Sequence, residues 1–138
     1  MSDDEPAGAR HRRERRWAYL PYRILISVAA VLVFLQPVLA GQFLSGTFGS
    51  LQRHQNVAAL VDMVLIVAAP AAVLIKWPGG GPIWPSIATA AMLGVTALQN
   101  WAGFNRILGL HVPLGVTIVV LVLALAIWAW RPQAGRRR

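Results

Sequence analysis

The sequence predicts an all-α integral membrane protein, an antiparallel four-helix bundle with a pseudo-twofold internal repeat. Three observations carry that reading. Four uncharged or nearly uncharged runs cover residues 24–52, 57–75 (broken only by Asp62), 77–105 and 107–130. Each is long enough to cross a hydrocarbon core that takes about 20 helical residues, and lipid offers the backbone no partner outside a helix. The chain is 57% hydrophobic and 13% charged, with a mean hydropathy of +0.55, which fits no ordinary globular domain. Finally, the turn formers fall between the runs, at Ser45–Arg53, at Trp77-Pro78-Gly79-Gly80-Gly81-Pro82 and at Asn105–Leu110.

The domain plan is a disordered basic tail over 1–16, a four-span bundle over 17–131 and a second basic tail over 132–138. The spans are expected at about 21–44, 52–76, 83–104 and 111–130. Trp17, Tyr19 and Tyr22 form an aromatic belt before helix one, which Pro37 kinks, as Pro70 kinks helix two. Pro85 suits the first turn of helix three, and Pro113 that of helix four. Ser86, Ala90 and Gly94 form a stripe of small side chains that permits close helix contact. Trp101 marks the outer end of helix three, and Trp128 and Trp130 the inner end of helix four.

Charge sets the orientation. Of 13 basic residues, Arg53 and Arg106 alone fall on one side of a four-pass chain, and the other eleven, in the tails, at Arg23 and at Lys76, fall on the opposite side. The positive-inside rule places both termini in the cytoplasm of a cell membrane. The net charge of +8 then serves topology and contact with anionic lipid, not nucleic acid. No cysteine is present, so disulfides and thiolate chemistry are excluded. The basic start, the apolar run and Val38-Leu39-Ala40 before Gly41 also have the form of a secretory signal, but the repeat makes that segment the partner of helix three and argues against cleavage.

The repeat runs as follows. Leu35-Gln36-Pro37-Val38-Leu39-Ala40-Gly41 is echoed by Leu98-Gln99-Asn100-Trp101-Ala102-Gly103, and both copies continue to a phenylalanine (Phe43, Phe104), an arginine (Arg53, Arg106) and a histidine (His54, His111) at the head of the next helix. The second copy is six residues shorter between glutamine and histidine. Both histidines open helices that descend from the outer face, so a pseudo-twofold bundle presents two imidazoles at one depth. That arrangement suits axial ligation of haem b by His54 and His111, with Arg53 and Arg106 near the propionates. The plain alternative is a pair of interface histidines with no cofactor. His11 lies in the tail and has no assigned role.

The order glutamine, small residues, glycine and then a histidine heading the next helix resembles one four-helix half of heme A synthase. Leu110-His111-Val112-Pro113-Leu114-Gly115 gives the best match, and small four-span actinobacterial membrane proteins are similar as well. The likeness spans roughly residues 35–115 and implies a haem-ligating role for His54 and His111. The family's active half carries a glutamate just before the histidine of its second helix, where this chain has Leu51-Gln52-Arg53, so the resemblance does not carry the oxidation chemistry with it.

Asp62 is the one acid between Glu14 and the C-terminus. An intramembrane carboxylate costs at least ~2.5 kcal/mol to insert and usually faces the bundle interior. It falls eight residues after His54, ~12 Å deeper at 1.5 Å per residue, too far to share a metal with it. Gln36 is expected opposite Asp62, and Gln99 is its counterpart in the second half; Asp62 serves either as interhelical glue or as a proton-relay or ligand contact. No hydrolase triad, phosphate loop or HExxH pattern is present, so the reading leans away from an enzyme. The competing functions are a haem b protein for electron transfer or haem handling, a cofactor-free subunit of a larger membrane complex, and a small oligomeric transporter or channel.

Overall fold

The computed structural model describes residues 7–131, with side chains from Trp17 onward. Residues 1–6 and 132–138, the outer parts of the two tails, lie outside it. Four helices follow one another: α1 (Ala7–Leu44), α2 (Gly49–Lys76), α3 (Trp84–Phe104) and α4 (Leu108–Trp130). No strand occurs among the described residues. α1 begins fourteen residues before the expected start near Pro21. The sequence there is rich in alanine, arginine and glutamate, all strong helix formers, so the helix continues through the basic stretch assigned to a disordered tail.

Each helix buries one stripe with the same spacing. In α1 it is Tyr22, Ile26, Ala29 and Val33; in α3 it is Pro85, Thr89, Met92 and Thr96. In α2 it is Val61, Leu65, Ala68 and Ala72, and in α4 Ile118, Val122, Leu125 and Ala129. Steps of four, three and four residues keep a side chain on one face of a 3.6-residue helix. α1 packs on α2 and α4, and α3 packs on the same two, so α1 faces α3 and α2 faces α4 across the centre. The outer surface is apolar: Phe34 is 60% exposed, Ile66 59%, Ile87 62% and Val120 59%. Such a surface is costly in water and at home in lipid. Three helices, α1 from Trp17, α2 and α4, are long and apolar enough to cross a membrane, as expected of a small integral membrane protein. α3 is uncharged but carries Ser86, Thr89, Thr96, Gln99 and Asn100, which lower its hydropathy.

Several local expectations change. Tyr19 and Tyr22 are not belt residues. Both are buried, with Tyr22 hydrogen-bonded to Thr89 at 3.1 Å, and only Trp17 is half exposed. A tyrosine hydroxyl in an apolar bundle seeks a partner, and Thr89, on the facing helix, supplies one. Pro85 does fall in the first turn of α3. Pro113 does not start α4, because residues from Leu108 wind a turn ahead of it and leave it inside the helix. The small-residue stripe is split: the Ser86 hydroxyl is buried, whereas Ala90 and Gly94 are exposed and a Cβ built on Gly94 would meet nothing within 4 Å. At the other end of the molecule, Arg23 donates to the Ala129 carbonyl and Trp130 to the Ser27 hydroxyl, tying the first turns after Trp17 to the last turn of α4.

Candidate functional site

α1 and α3 end in the same way. Thr47 N–H reaches back to the Gln42 carbonyl and Gly46 N–H to Phe43; Ile107 N–H reaches Ala102 and Arg106 N–H reaches Gly103. Each is a cap whose penultimate residue is left-handed, Gly46 at φ +95° and Arg106 at φ +59°. These caps turn the chain directly into α2 and α4 and bring the first turns of those helices back against the ends of α1 and α3. His54 lies in the second turn of α2 rather than at its head, since α2 starts at Gly49; His111 lies in the first turn of α4.

The two imidazoles meet across the centre. Their ring centroids are 6.1 Å apart and their planes 62° to one another. Each turns Nδ1 toward the backbone carbonyl of the glutamine on the preceding helix: His54 to Gln36 at 3.2 Å and His111 to Gln99 at 2.9 Å. A ring pinned through Nδ1–H to a carbonyl presents its Nε2 lone pair elsewhere, the usual posture of a metal-ligating histidine.

The glutamine side chains differ. Gln99 Nε2 lies 3.4 Å from His111 Nε2, and its Oε1 is buried with no partner. With its nitrogen toward α2, the Gln36 amide donates to His54 Nδ1 at 2.8 Å and to the His54 carbonyl at 3.3 Å, and its oxygen accepts the Ala58 N–H at 3.0 Å. His54 Nδ1 cannot both donate to the Gln36 carbonyl and accept from the Gln36 amide; with the amide donating, the ring carries its proton on Nε2 and offers no lone pair there, so only the carbonyl-bonded tautomer leaves Nε2 free for a metal. His111 has its room made by glycine. A Cβ on Gly103 would lie 2.8 Å from the His111 ring, and one on Gly115 would lie 3.0 Å from Gln99 Nε2.

A cavity of about 60 Å³ lies between these groups, lined by Gln36, His54, Asp62, Gln99, Asn100 and His111 together with Thr96 and aliphatic side chains of α1, α2 and α4. Every polar residue predicted within the membrane, Gln36, Asp62 and Gln99, is therefore brought to the histidines. The expected partner of Asp62 is not. Its Oδ2 accepts from Asn100 Nδ2 at 2.6 Å, while Gln36 is engaged by His54 and Ala58, a turn away along α2. Asn100 escaped sequence reasoning, although a second amide directly after Gln99 in an apolar helix was a visible signal. Arg53 and Arg106 are exposed and do not line the cavity.

Two tests of fit follow from this geometry. Two imidazoles bound to one metal at about 2 Å each put their ring centroids about 6 Å apart, which matches the observed separation. No group of three or more histidine, cysteine or acidic side chains that could hold a metal ion occurs among the described residues. The space is a different matter. At about 60 Å³, the cavity is well below the ~300–1,000 Å³ typical of pockets that enclose a small-molecule ligand. The ring separation leaves room for one metal ion between two ligating nitrogens; the cleft, packed as it is, does not hold a porphyrin.

No protein family matches this chain, and neither the curated proteins nor the solved structures contain a match to it.

Proposed function

We propose that the protein is a four-span antiparallel membrane bundle built from two repeats, with both termini cytoplasmic, and that His54 and His111 are the axial pair of a haem b site near the outer face. The single observation that carries the haem reading is the facing pair itself, 6.1 Å between centroids with each Nδ1 on a carbonyl.

The repeat is supported by burial. Moving 63 positions takes Tyr22, Ile26, Ala29, Val33 and Gln36 onto Pro85, Thr89, Met92, Thr96 and Gln99; moving 57 takes His54, Val61, Leu65, Ala68 and Ala72 onto His111, Ile118, Val122, Leu125 and Ala129. The apolar members of each set are buried along with Thr89 and Thr96, and both glutamine carbonyls receive the histidine of their own copy. The fourth span is supported by the bonds along α3. Thr89 meets Tyr22 near one end, and Gln99 and Asn100 meet His111 and Asp62 near the other, so α3 runs the same depth as its neighbours.

Bound haem would supply one-electron redox chemistry. The chain's part would be to hold two imidazoles on diagonal helices, with the backbone carbonyls of Gln36 and Gln99 taking each Nδ1–H and both glutamine side chains turning away from the rings. Because the cleft is too small for the macrocycle as packed, α2 and α4, which meet through the two imidazoles, would have to stand further apart to hold it. Arg53 and Arg106, exposed beside the site, are the cations available to propionates. The small cavity favours the second reading, a cofactor-free membrane subunit. Absorbance of detergent-purified protein from haem-replete cells separates the two: a Soret band with sharp reduced α and β bands supports haem, and a colourless preparation that haemin does not colour leaves the structural role.

A further inference from the structure

The cavity wall opposite the histidines contains a feature that the repeat does not explain. Under the shifts above, Asp62 and Asn100 correspond to Val119 and Pro37. The first-half counterpart of Asn100 is thus an exposed proline and the second-half counterpart of Asp62 a valine, so the carboxylate and amide that meet on the cavity have no polar equivalents. Packing alone is satisfied by the apolar version, and an intramembrane acid is expensive to maintain.

The hydrogen bonds leave a specific deficit. Asn100 orients the carboxylate by donating to Asp62 Oδ2 at 2.6 Å. Asp62 Oδ1 and Gln99 Oε1 are both buried acceptors without a partner, and both residues line the same cavity. Two orphaned oxygens in one space call for a positively charged or donating occupant, since each unpaired buried acceptor costs stability. No lysine or arginine lines the cavity; its titratable groups are Asp62, His54 and His111.

We infer that Asp62 Oδ1 and Gln99 Oε1 form a site for a small monovalent cation, of which sodium is the type, deep in the bundle. Oxygen donors select a hard cation over a transition metal. A single carboxylate balances one charge, whereas a divalent ion would leave an uncompensated charge in a low-dielectric interior. About 60 Å³ admits an ion with a few waters, given that one water needs only ~10–15 Å³ of such volume. Asn100 is the positioning residue, holding one carboxylate oxygen so that the other faces the cavity. This site does not need haem, because it uses neither histidine as a ligand, although it shares their cavity and the Gln99 amide lies 3.4 Å from His111 Nε2.

Binding of radioactive ²²Na⁺ to the purified full-length chain in lipid nanodiscs, with choline as the inert counter-cation, tests it. The expected result is saturable binding of one ion per chain, lost in Asp62→Asn and weakened in Gln99→Leu. Absence of saturable binding by the unaltered chain overturns the inference, even if Asp62→Asn fails to accumulate. Undiminished binding in Asp62→Asn overturns it too. So does thermal stability that follows pH but ignores sodium, which would make a proton the occupant. The readout is independent of any Soret band, so a colourless protein that binds sodium keeps this site and loses the haem reading.

Discussion

The two halves of the molecule present the same histidine to the same carbonyl but support it differently. In the second half, His111 is set by shape: Gly103 and Gly115 vacate the room in which its ring and the Gln99 amide sit. In the first half, His54 is set by hydrogen bonds: nothing lies within 4 Å of a Cβ on Gly41, but the Gln36 amide grips Nδ1 and two backbone groups of α2. The difference teaches that the same group can be presented to the centre from two helices by different means, room in one case and hydrogen bonds in the other.

Substitution can break that comparison. Gly103→Ala should cost about 1–3 kcal/mol, because the new methyl would lie 2.8 Å from the His111 ring and must push it off the Gln99 carbonyl, whereas Gly41→Ala should gain up to ~1 kcal/mol from helix propensity alone. Urea or thermal unfolding of both variants in detergent reads the opposite signs; a gain in Gly103→Ala would show that His111 is free to move. Next in size, Gln36→Leu should cost ~1–3 kcal/mol by stripping partners from His54 and Ala58, and Gln99→Leu less than ~1 kcal/mol, since its one contact is long and its oxygen is already unpaired. Equal costs in the same assay would remove the distinction between the two supports. The smallest effect belongs to the caps. Arg106→Gly should stabilise by about 1 kcal/mol by relieving a left-handed arginine, and Gly46→Ala should destabilise by a similar amount. A loss in Arg106→Gly would mean that the arginine earns its strained position through a contact of its own.

Much of the fold was legible because lipid restricts the menu. Uncharged runs and turn formers gave four helices with ends within a few residues of those observed, α1's start excepted, where helix propensity outran the expected boundary. The histidines and polar residues of the site were legible because so few polar groups interrupt the apolar runs. Which of them pair was not. Depth along a helix can be counted from sequence, but the direction a side chain leaves it depends on packing, so Asp62 went to Asn100 and not Gln36, Tyr22 turned inward to Thr89, and Ala90 and Gly94 turned out while the Ser86 hydroxyl stayed in.

The central claim is that one imidazole from each half shares one iron. Electron paramagnetic resonance of the oxidised, haem-loaded protein tests it most directly, read beside His54→Ala and His111→Ala. A low-spin ferric signal that either substitution converts to high spin, or abolishes with loss of haem, is the predicted result. A high-spin signal in the unaltered protein, or a low-spin signal that survives removal of either histidine, would contradict it.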